Sequence, residues 1–251
     1  MLIQQTMNGL RELRLTGMAN ALEIQLGQTA AQALSFEDRL GILVDAELSS
    51  RDTKKLARLL RAAKLKEPSA CVENIDYAPA RSLDRSFIMS LANCNWVDTG
   101  QHVIITGATG AGKSWMACAL GNQICRKGKS VHYFRLSRLI EQLSIAKSDG
   151  SLGRFRAQLA RTAVIILDDW LMAPLDTASA REVLEVVDDR TGTSSLILAS
   201  QHPVDVWHDR IGEPTVADAL LDRIVHSAHR IEIRGESLRK RRSITPSTSK
   251  S

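Results

Sequence analysis

The chain has 251 residues, 44% hydrophobic and 24% charged, enough apolar material for a full core, one main domain and a small second one without stabilisation by metals. Its net charge of +5, from 33 basic and 28 acidic side chains, is spread unevenly and favours polyanions such as nucleic acid. No apolar run approaches the roughly eighteen residues of a membrane span, no signal-peptide core opens the chain, and the four cysteines (Cys71, Cys94, Cys118, Cys125) form no C-x-x-C. Membrane-spanning and disulfide-built secreted classes are therefore excluded, and a cytoplasmic protein with reduced, mostly buried thiols is expected.

Residues 1–65 are almost free of proline and repeat apolar residues at helical spacing (Leu10, Leu13, Met18, Leu22; Leu40, Leu43, Val44, Leu48), which predicts three or four short helices in a small all-helical N-terminal domain. Ser35 with Asp38 three positions on marks the start of the helix through Leu48. In the last helix, residues 46–64, the cations Arg51, Lys54, Lys55, Arg58 and Arg61 share an arc of roughly 120°, opposite Leu56, Leu59, Leu60 and Ala63. With only Glu47 and Asp52 diluting it, that arc is either a solvated face or a surface for the phosphate backbone of DNA. Residues 66–83, with Pro68 and Pro79 and no sustained period, read as a linker.

From Asp84 to Arg242 strands alternate with helices, the pattern of an α/β domain on a central parallel sheet. Apolar strands are predicted at 103–106, 131–134, 163–167 and 195–199, and helices at 113–126, 136–146, 178–190 and 216–228. The Ser/Thr-rich residues 243–251 read as a disordered tail.

The chemistry centres on Gly107-Ala108-Thr109-Gly110-Ala111-Gly112-Lys113-Ser114, between the β-branched run Val103-Ile104-Ile105 and a helix opening at Trp115-Met116. Strand, glycine loop and helix in that order fit G-x-x-x-x-G-K-[ST], in which backbone N–H groups wrap a phosphate chain at a helix N-terminus. Lys113 is then the point charge on the β- and γ-phosphates, Ser114 offers its hydroxyl to Mg²⁺, and Trp115 borders the nucleotide. Val164-Ile165-Ile166-Leu167 ends in Asp168 and Asp169, where a P-loop protein carries its second acidic element: Asp168 for Mg²⁺ and Asp169 to polarise the attacking water. Ser200 and Gln201 close the strand 195–199 and face the γ-phosphate if that strand lies beside the glycine-loop strand. Arg223, late in an apolar helix, either pairs locally with Asp222 or Asp218 or acts as an arginine finger toward a neighbouring subunit. The six histidines make no zinc site; His226 and His229 share a predicted helix face without a carboxylate or cysteine beside them in sequence. The run Arg239–Arg242 is a non-specific phosphate grip or a solvating patch.

Taken with Asn74-Ile75-Asp76-Tyr77, Ser200-Gln201-His202-Pro203, Pro214-Thr215-Val216-Ala217-Asp218-Ala219, Leu221-Asp222-Arg223-Ile224-Val225-His226 and Gly235-Glu236-Ser237-Leu238-Arg239, these motifs resemble the IstB family, the ATPase helpers encoded beside the transposase of certain bacterial insertion sequences. The likeness runs over almost the whole chain and implies a P-loop AAA+ ATPase related to DnaC and DnaA. It implies ATP and Mg²⁺ as cofactors, slow hydrolysis stimulated by DNA or a partner, and a homo-oligomer that grips duplex DNA and recruits its transposase. Arg223 then matches the arginine-finger position, and Arg239 is a candidate second contact to the γ-phosphate. The turn after the acidic pair departs from the family: relatives usually carry glycine where Leu171 stands. A replicative helicase loader is the alternative within this class and predicts a preference for single strands. A nucleotide kinase predicts an arginine-bearing lid, for which the sequence offers little, and an ATP-gated DNA scaffold predicts negligible turnover.

Overall fold

The computed structural model describes residues 2–235, and the chain divides into two compact units, Met1–Arg58 and the part from Leu59 onward. In the first unit α1 (Leu2–Glu12) and α2 (Thr16–Gly27) are followed by a 3-10 turn, Thr29–Ala33, and by α3 (Phe36–Ala63). Ser35 caps α3 as its spacing predicted: its Oγ accepts the Asp38 N–H at 3.1 Å and donates to the Asp38 carboxylate at 2.7 Å. The two helices expected on either side of Leu48 are one helix of 28 residues. Ser49-Ser50 interrupts the apolar period but contains no residue that breaks a helix, so the chain continues through it.

Gly17 lets α2 meet α3 at backbone distance; a Cβ there would lie 2.6 Å from the Ala46 carbonyl oxygen. The buried Glu47 carboxylate accepts the N–H groups of Gly17 at 2.7 Å and Met18 at 3.2 Å, placing a negative charge at the N-terminus of α2. The Arg51 guanidinium, bonded to the same carboxylate at 2.7 Å, holds it below the usual Glu range.

The second unit carries five parallel strands, β1 (His102–Gly107), β2 (Val131–Arg135), β3 (Val164–Asp168), β4 (Ser195–Ser200) and β5 (Ala228–Ile233), in the order β2-β3-β4-β1-β5. Every residue of β3 and β4 is buried, which explains their unbroken apolar runs. Around them lie α4 (Arg85–Ala92), α5 (Asn95–Asp98), α6 (Lys113–Arg126), α7 (Leu136–Ser148), α8 (Leu152–Ala160), α9 (Thr177–Asp188) and α10 (Pro214–Val225). Asp84 and Asp176 cap α4 and α9 through the N–H groups of Ser86 and Phe87 and of Ser179. Ile104, Ile165, Leu167, Leu196 and Leu198 form one core with Leu139, Val183, Val187, Leu220 and Ile224 from α7, α9 and α10. By strand alternation Ile166 faces the other side, against α6, where its Cδ1 lies 2.8 Å from the position a Cβ on Gly121 would take.

Three readings are corrected. Helix α10 ends at Val225, and the residues beyond it form β5, an edge strand whose alternating pattern buries only Ile231 and Ile233. His229 accordingly lies on that strand, 2.9 Å from Gln101 Oε1, and shares no helix face with His226. Residues 66–83 lie within the second unit, where Ala70, Val72 and Ile75 are buried. The cysteines are free thiols, Cys94, Cys118 and Cys125 buried, and burial pushes Cys118 and Cys125 up to about 11.

His102 opens β1 fully packed, its Nδ1 accepting the Leu196 N–H at 3.2 Å from the neighbouring strand. Burial, reinforced by the Arg190 charge, lowers its pKa from 6.5 to about 4. The folded chain therefore keeps His102 neutral where the unfolded chain takes up a proton, so stability is complete above about pH 6.5 and falls as the pH drops toward 4. The expected loss across that window is about 3 kcal/mol. Urea titrations at pH 7.5 and 4.5 check it: His102→Gln, which retains an acceptor but does not titrate, should lose markedly less over the same interval.

Candidate nucleotide-binding site

The glycine loop leaves β1 at Gly107, where φ is +152° and a Cβ would sit 2.4 Å from the Ile233 carbonyl oxygen. The first glycine of the motif is thus required by β5 as well as by any phosphate. Gly112, with φ +98°, is the N-cap of α6 and turns the loop into the helix. Lys113 follows, buried, its Nζ donating to the carbonyl oxygens of Gly107 and Ala108 at 2.8 Å each. Burial lowers its pKa, and the charges of Asp168 and Asp169 oppose that shift.

Ser114 Oγ donates to Asp168 Oδ1 at 2.9 Å, joining the first turn of α6 to the end of β3. The other carboxylate oxygen, Oδ2, accepts from Tyr133 Oη on β2 at 2.6 Å and from Lys66 Nζ at 3.2 Å. Burial alone would raise the Asp168 pKa, but the hydrogen bonds of Tyr133 and Ser114 and the Lys66 charge outweigh it and hold the carboxyl below its ordinary value. Burial, and then the bond to Asp168, drives the Tyr133 phenol upward, so it remains a donor. Neither Lys66 nor Tyr133 was among the sequence candidates. An isolated lysine in a segment without periodicity, and a tyrosine on a strand, give no motif to read.

Asp169 sits beyond β3 in a left-handed conformation, φ +55°, with Arg135 Nε 3.7 Å from its carboxylate. Leu171 is also left-handed, φ +50°, at the position where glycine was expected in relatives. Such a conformation costs a leucine about 1–3 kcal/mol and persists only where its surroundings over-determine it. Here they do: the Trp170 N–H donates to the Ala199 carbonyl at 2.9 Å, and Arg210 donates to the carbonyls of Leu171 and Met172 at 2.7 Å each. The Leu171 side chain is wholly buried, and Trp170 meets Trp207 edge-on at 5.8 Å. The turn that aims Asp169 is therefore held without glycine.

Strand β4 lies beside β1, as the reading of Ser200 and Gln201 required. Gln201 reaches the loop, its Oε1 accepting from Thr109 Oγ1 at 2.7 Å. Ser200 turns inward instead: fully buried, it donates to the Trp170 carbonyl at 3.0 Å and accepts the His202 N–H at 3.1 Å. Its hydroxyl is committed to the turn behind Asp169 and does not border the cleft. Arg223 is paired within the chain, with the Asp188 carboxylate of α9 and the Ala219 carbonyl. Its expected local partners are taken by histidines, Asp218 by His208 and Asp222 by His226, each at 3.2 Å. Arg239 and the run to Arg242 lie outside the described residues.

A cleft of about 370 Å³ opens over these groups, bordered by Lys66, Thr109, Lys113, Trp115, Arg135, Asp169 and Gln201 among others. Loop glycines at a helix N-terminus, a buried ammonium and a polar strand-end group make it a receptor for a phosphate chain. The Ser114 hydroxyl and the Asp168 carboxylate are hard oxygen donors in contact, the pair that Mg²⁺ accepts when phosphates and water complete its shell. The α3 cations Arg51, Lys54, Lys55, Arg58 and Arg61 are all exposed. Arg51 shares the Glu47 carboxylate, and Lys54 donates to the Thr16 hydroxyl.

A family model described as IstB-like ATP binding protein matches residues 8–245. An insertion-sequence ATP-binding protein of Sinorhizobium fredii is 44% identical over 240 residues, covering 96% of this chain and 98% of its own. The ATP-binding protein of insertion sequence IS1162 from Pseudomonas fluorescens is 50% identical, covering 81% of this chain and 88% of its own. Among solved structures, the DnaC helicase loader superposes with a TM-score of 0.54 at 16% identity, covering 66% of this chain and 97% of its own. The replication initiator DnaA bound to AMPPCP and single-stranded DNA gives 0.58 at 18% identity, covering 69% of this chain and 52% of its own. These likenesses establish the fold as a P-loop AAA+ domain. Among the described residues no helix is long and apolar enough to cross a membrane.

Proposed function

The chain belongs to the IstB-like ATP-binding protein family, and on that premise we propose that it is an ATPase that assembles on duplex DNA with ATP bound and recruits the transposase of its own insertion element. The observation that carries the reading is that Lys113, Ser114 and Asp169 line one cleft, with Asp168 bonded to Ser114 directly behind its lining. Lys113 exchanges its two loop carbonyls for the β- and γ-phosphates, and Gln201 approaches the terminal phosphate from β4. Mg²⁺, held by Ser114 and Asp168, neutralises phosphate charge when bound. Asp169, set on its buttressed turn, orients and polarises the attacking water.

Support for duplex binding comes from the exposed cations of α3, a row suited to phosphates and indifferent to sequence. Support for a transposase partner comes from the insertion-sequence names of the relatives. Affinity for duplex should fall steeply with salt, with a log–log slope of about −0.9 for each phosphate neutralised. Replacing Arg51, Lys54, Lys55 and Arg58 together by alanine should flatten that slope by about 2–4 and weaken all duplex sequences alike. An unchanged slope in fluorescence-anisotropy titrations would take the DNA surface away from α3. Tighter binding to single strands than to duplex would favour the helicase-loader reading.

A further inference from the structure

Lys66 is a cation placed where the nucleotide reading calls for a metal. Its Nζ lies 3.2 Å from Asp168 Oδ2 and 3.4 Å from Ser114 Oγ, within reach of both groups that would hold Mg²⁺. The site is built rather than incidental: Asp168 is almost wholly buried, Lys66 only a quarter exposed, and Tyr133 fixes the same carboxylate oxygen from β2. A buried carboxylate needs a compensating charge, and in this arrangement Lys66 supplies it. Lys113 does not compete for the role, since its ammonium is directed to the carbonyls of Gly107 and Ala108.

We propose that Lys66 is the resident counter-ion of the Ser114–Asp168 pair and that divalent metal arriving with the nucleotide must displace it. Lys66 bonds Oδ2 while Ser114 bonds Oδ1, but the ammonium also stands 3.4 Å from the Ser114 hydroxyl, so it and a metal ion are like charges crowded onto one buried carboxylate and each weakens the other. Lys66 is then a negative determinant of metal affinity, distinct from a lysine that binds phosphate. Its departure leaves the segment Lys66–Pro68 without its ionic tie to β3, so the conformation of that segment reports whether the metal is bound. The proposal rests on the reading that the cleft takes Mg²⁺ with ATP, and it requires neither DNA binding nor a transposase.

The test is a calorimetric titration of Mg²⁺ into the full-length protein with a non-hydrolysable ATP analogue at fixed concentration, in the absence of DNA. Lys66→Met removes the charge, Lys66→Gln keeps a hydrogen-bond donor without it, and Lys66→Arg keeps the charge. In the Met and Gln variants the Mg²⁺ concentration at half-saturation should fall on the order of tenfold, the lower end of what one opposite charge beside a carboxylate does to its affinity for cations. Lys66→Arg should stay near wild type. In EDTA the Met and Gln variants should bind the analogue no more tightly than wild type, because the carboxylate then stands unneutralised toward the phosphates. An unchanged or higher Mg²⁺ midpoint in both neutral variants, or an equal weakening of analogue binding with and without Mg²⁺, would overturn the proposal and make Lys66 a structural or phosphate-binding residue. Failure of the wild-type protein to bind the analogue at all would remove the nucleotide reading of the cleft and this proposal with it.

Discussion

Lys113→Ala is expected to lower ATP affinity by about a hundredfold or more, and with it to abolish every ATP-dependent property of the chain. Hydrogen bonds to charged groups contribute about 1.5–3 kcal/mol each, and an ammonium bridging two phosphates makes at least two of them in a cleft that restricts water. The fold should survive the change. Lys113 Nζ donates to the carbonyls of Gly107 and Ala108 and lines a cleft, where water can serve those carbonyls in its place. A near-normal thermal melt combined with lost binding of a fluorescent ATP analogue would separate the role in binding from a role in folding. Asp169→Asn should behave differently, retaining ATP but hydrolysing it slowly, because it keeps the turn and removes the base. Normal ATP-dependent light scattering by Lys113→Ala would take Lys113 out of the nucleotide site.

The parts of this site that were legible in the sequence are those whose geometry is local. Gly107 to Ser114 prescribe their own loop, since three glycines, a lysine and a hydroxyl at fixed offsets have one common use between a strand and a helix. Strands β3 and β4 were legible because both faces are covered, leaving unbroken apolar runs that end in Asp168 and in Ser200-Gln201. Strand β5 was hidden because an edge strand exposed on one side reads Ala-His-Arg-Ile-Glu-Ile, a pattern that merges with the helix before it. What remained illegible depends on contacts through space. Lys66 and Tyr133 reach Asp168 across 102 and 35 positions of sequence, and Arg210 reaches the Leu171 carbonyl across 39. The missing glycine at 171 was visible in the sequence, but not its solution: the left-handed turn is kept, and a guanidinium, two tryptophans and an inward serine hold it. Ser200 and Gln201 were read as equivalent, and strand alternation makes them opposites, one buried in the buttress and one at the cleft.

Arg223 carries the second large expectation, because its ion pair with Asp188 shows where the side chain rests in a single chain and leaves open a different partner in an assembly. A guanidinium that reaches a neighbour's γ-phosphate stabilises charge only as the transition state forms, so Arg223→Ala should bind ATP normally while losing stimulated hydrolysis by about 10³-fold or more. On the proposed reading Asp169→Asn turns over slowly for a separate reason, the loss of its own chain's base. Mixing the two impaired proteins on DNA should therefore regenerate some competent interfaces, in which the Arg223→Ala chain supplies Asp169 and the Asp169→Asn chain supplies the arginine. In a random equimolar assembly of head-to-tail interfaces about a quarter have that composition, so ATPase activity should recover to roughly that fraction of wild type, against almost none for either protein alone. Asp188→Asn adds a control on the resting pair: by freeing Arg223 it should leave stimulated turnover intact or raise it. Co-assembly of the two variants, demonstrated by crosslinking, without any recovered activity would place Arg223 within its own chain as the partner of Asp188 and end its assignment as a finger.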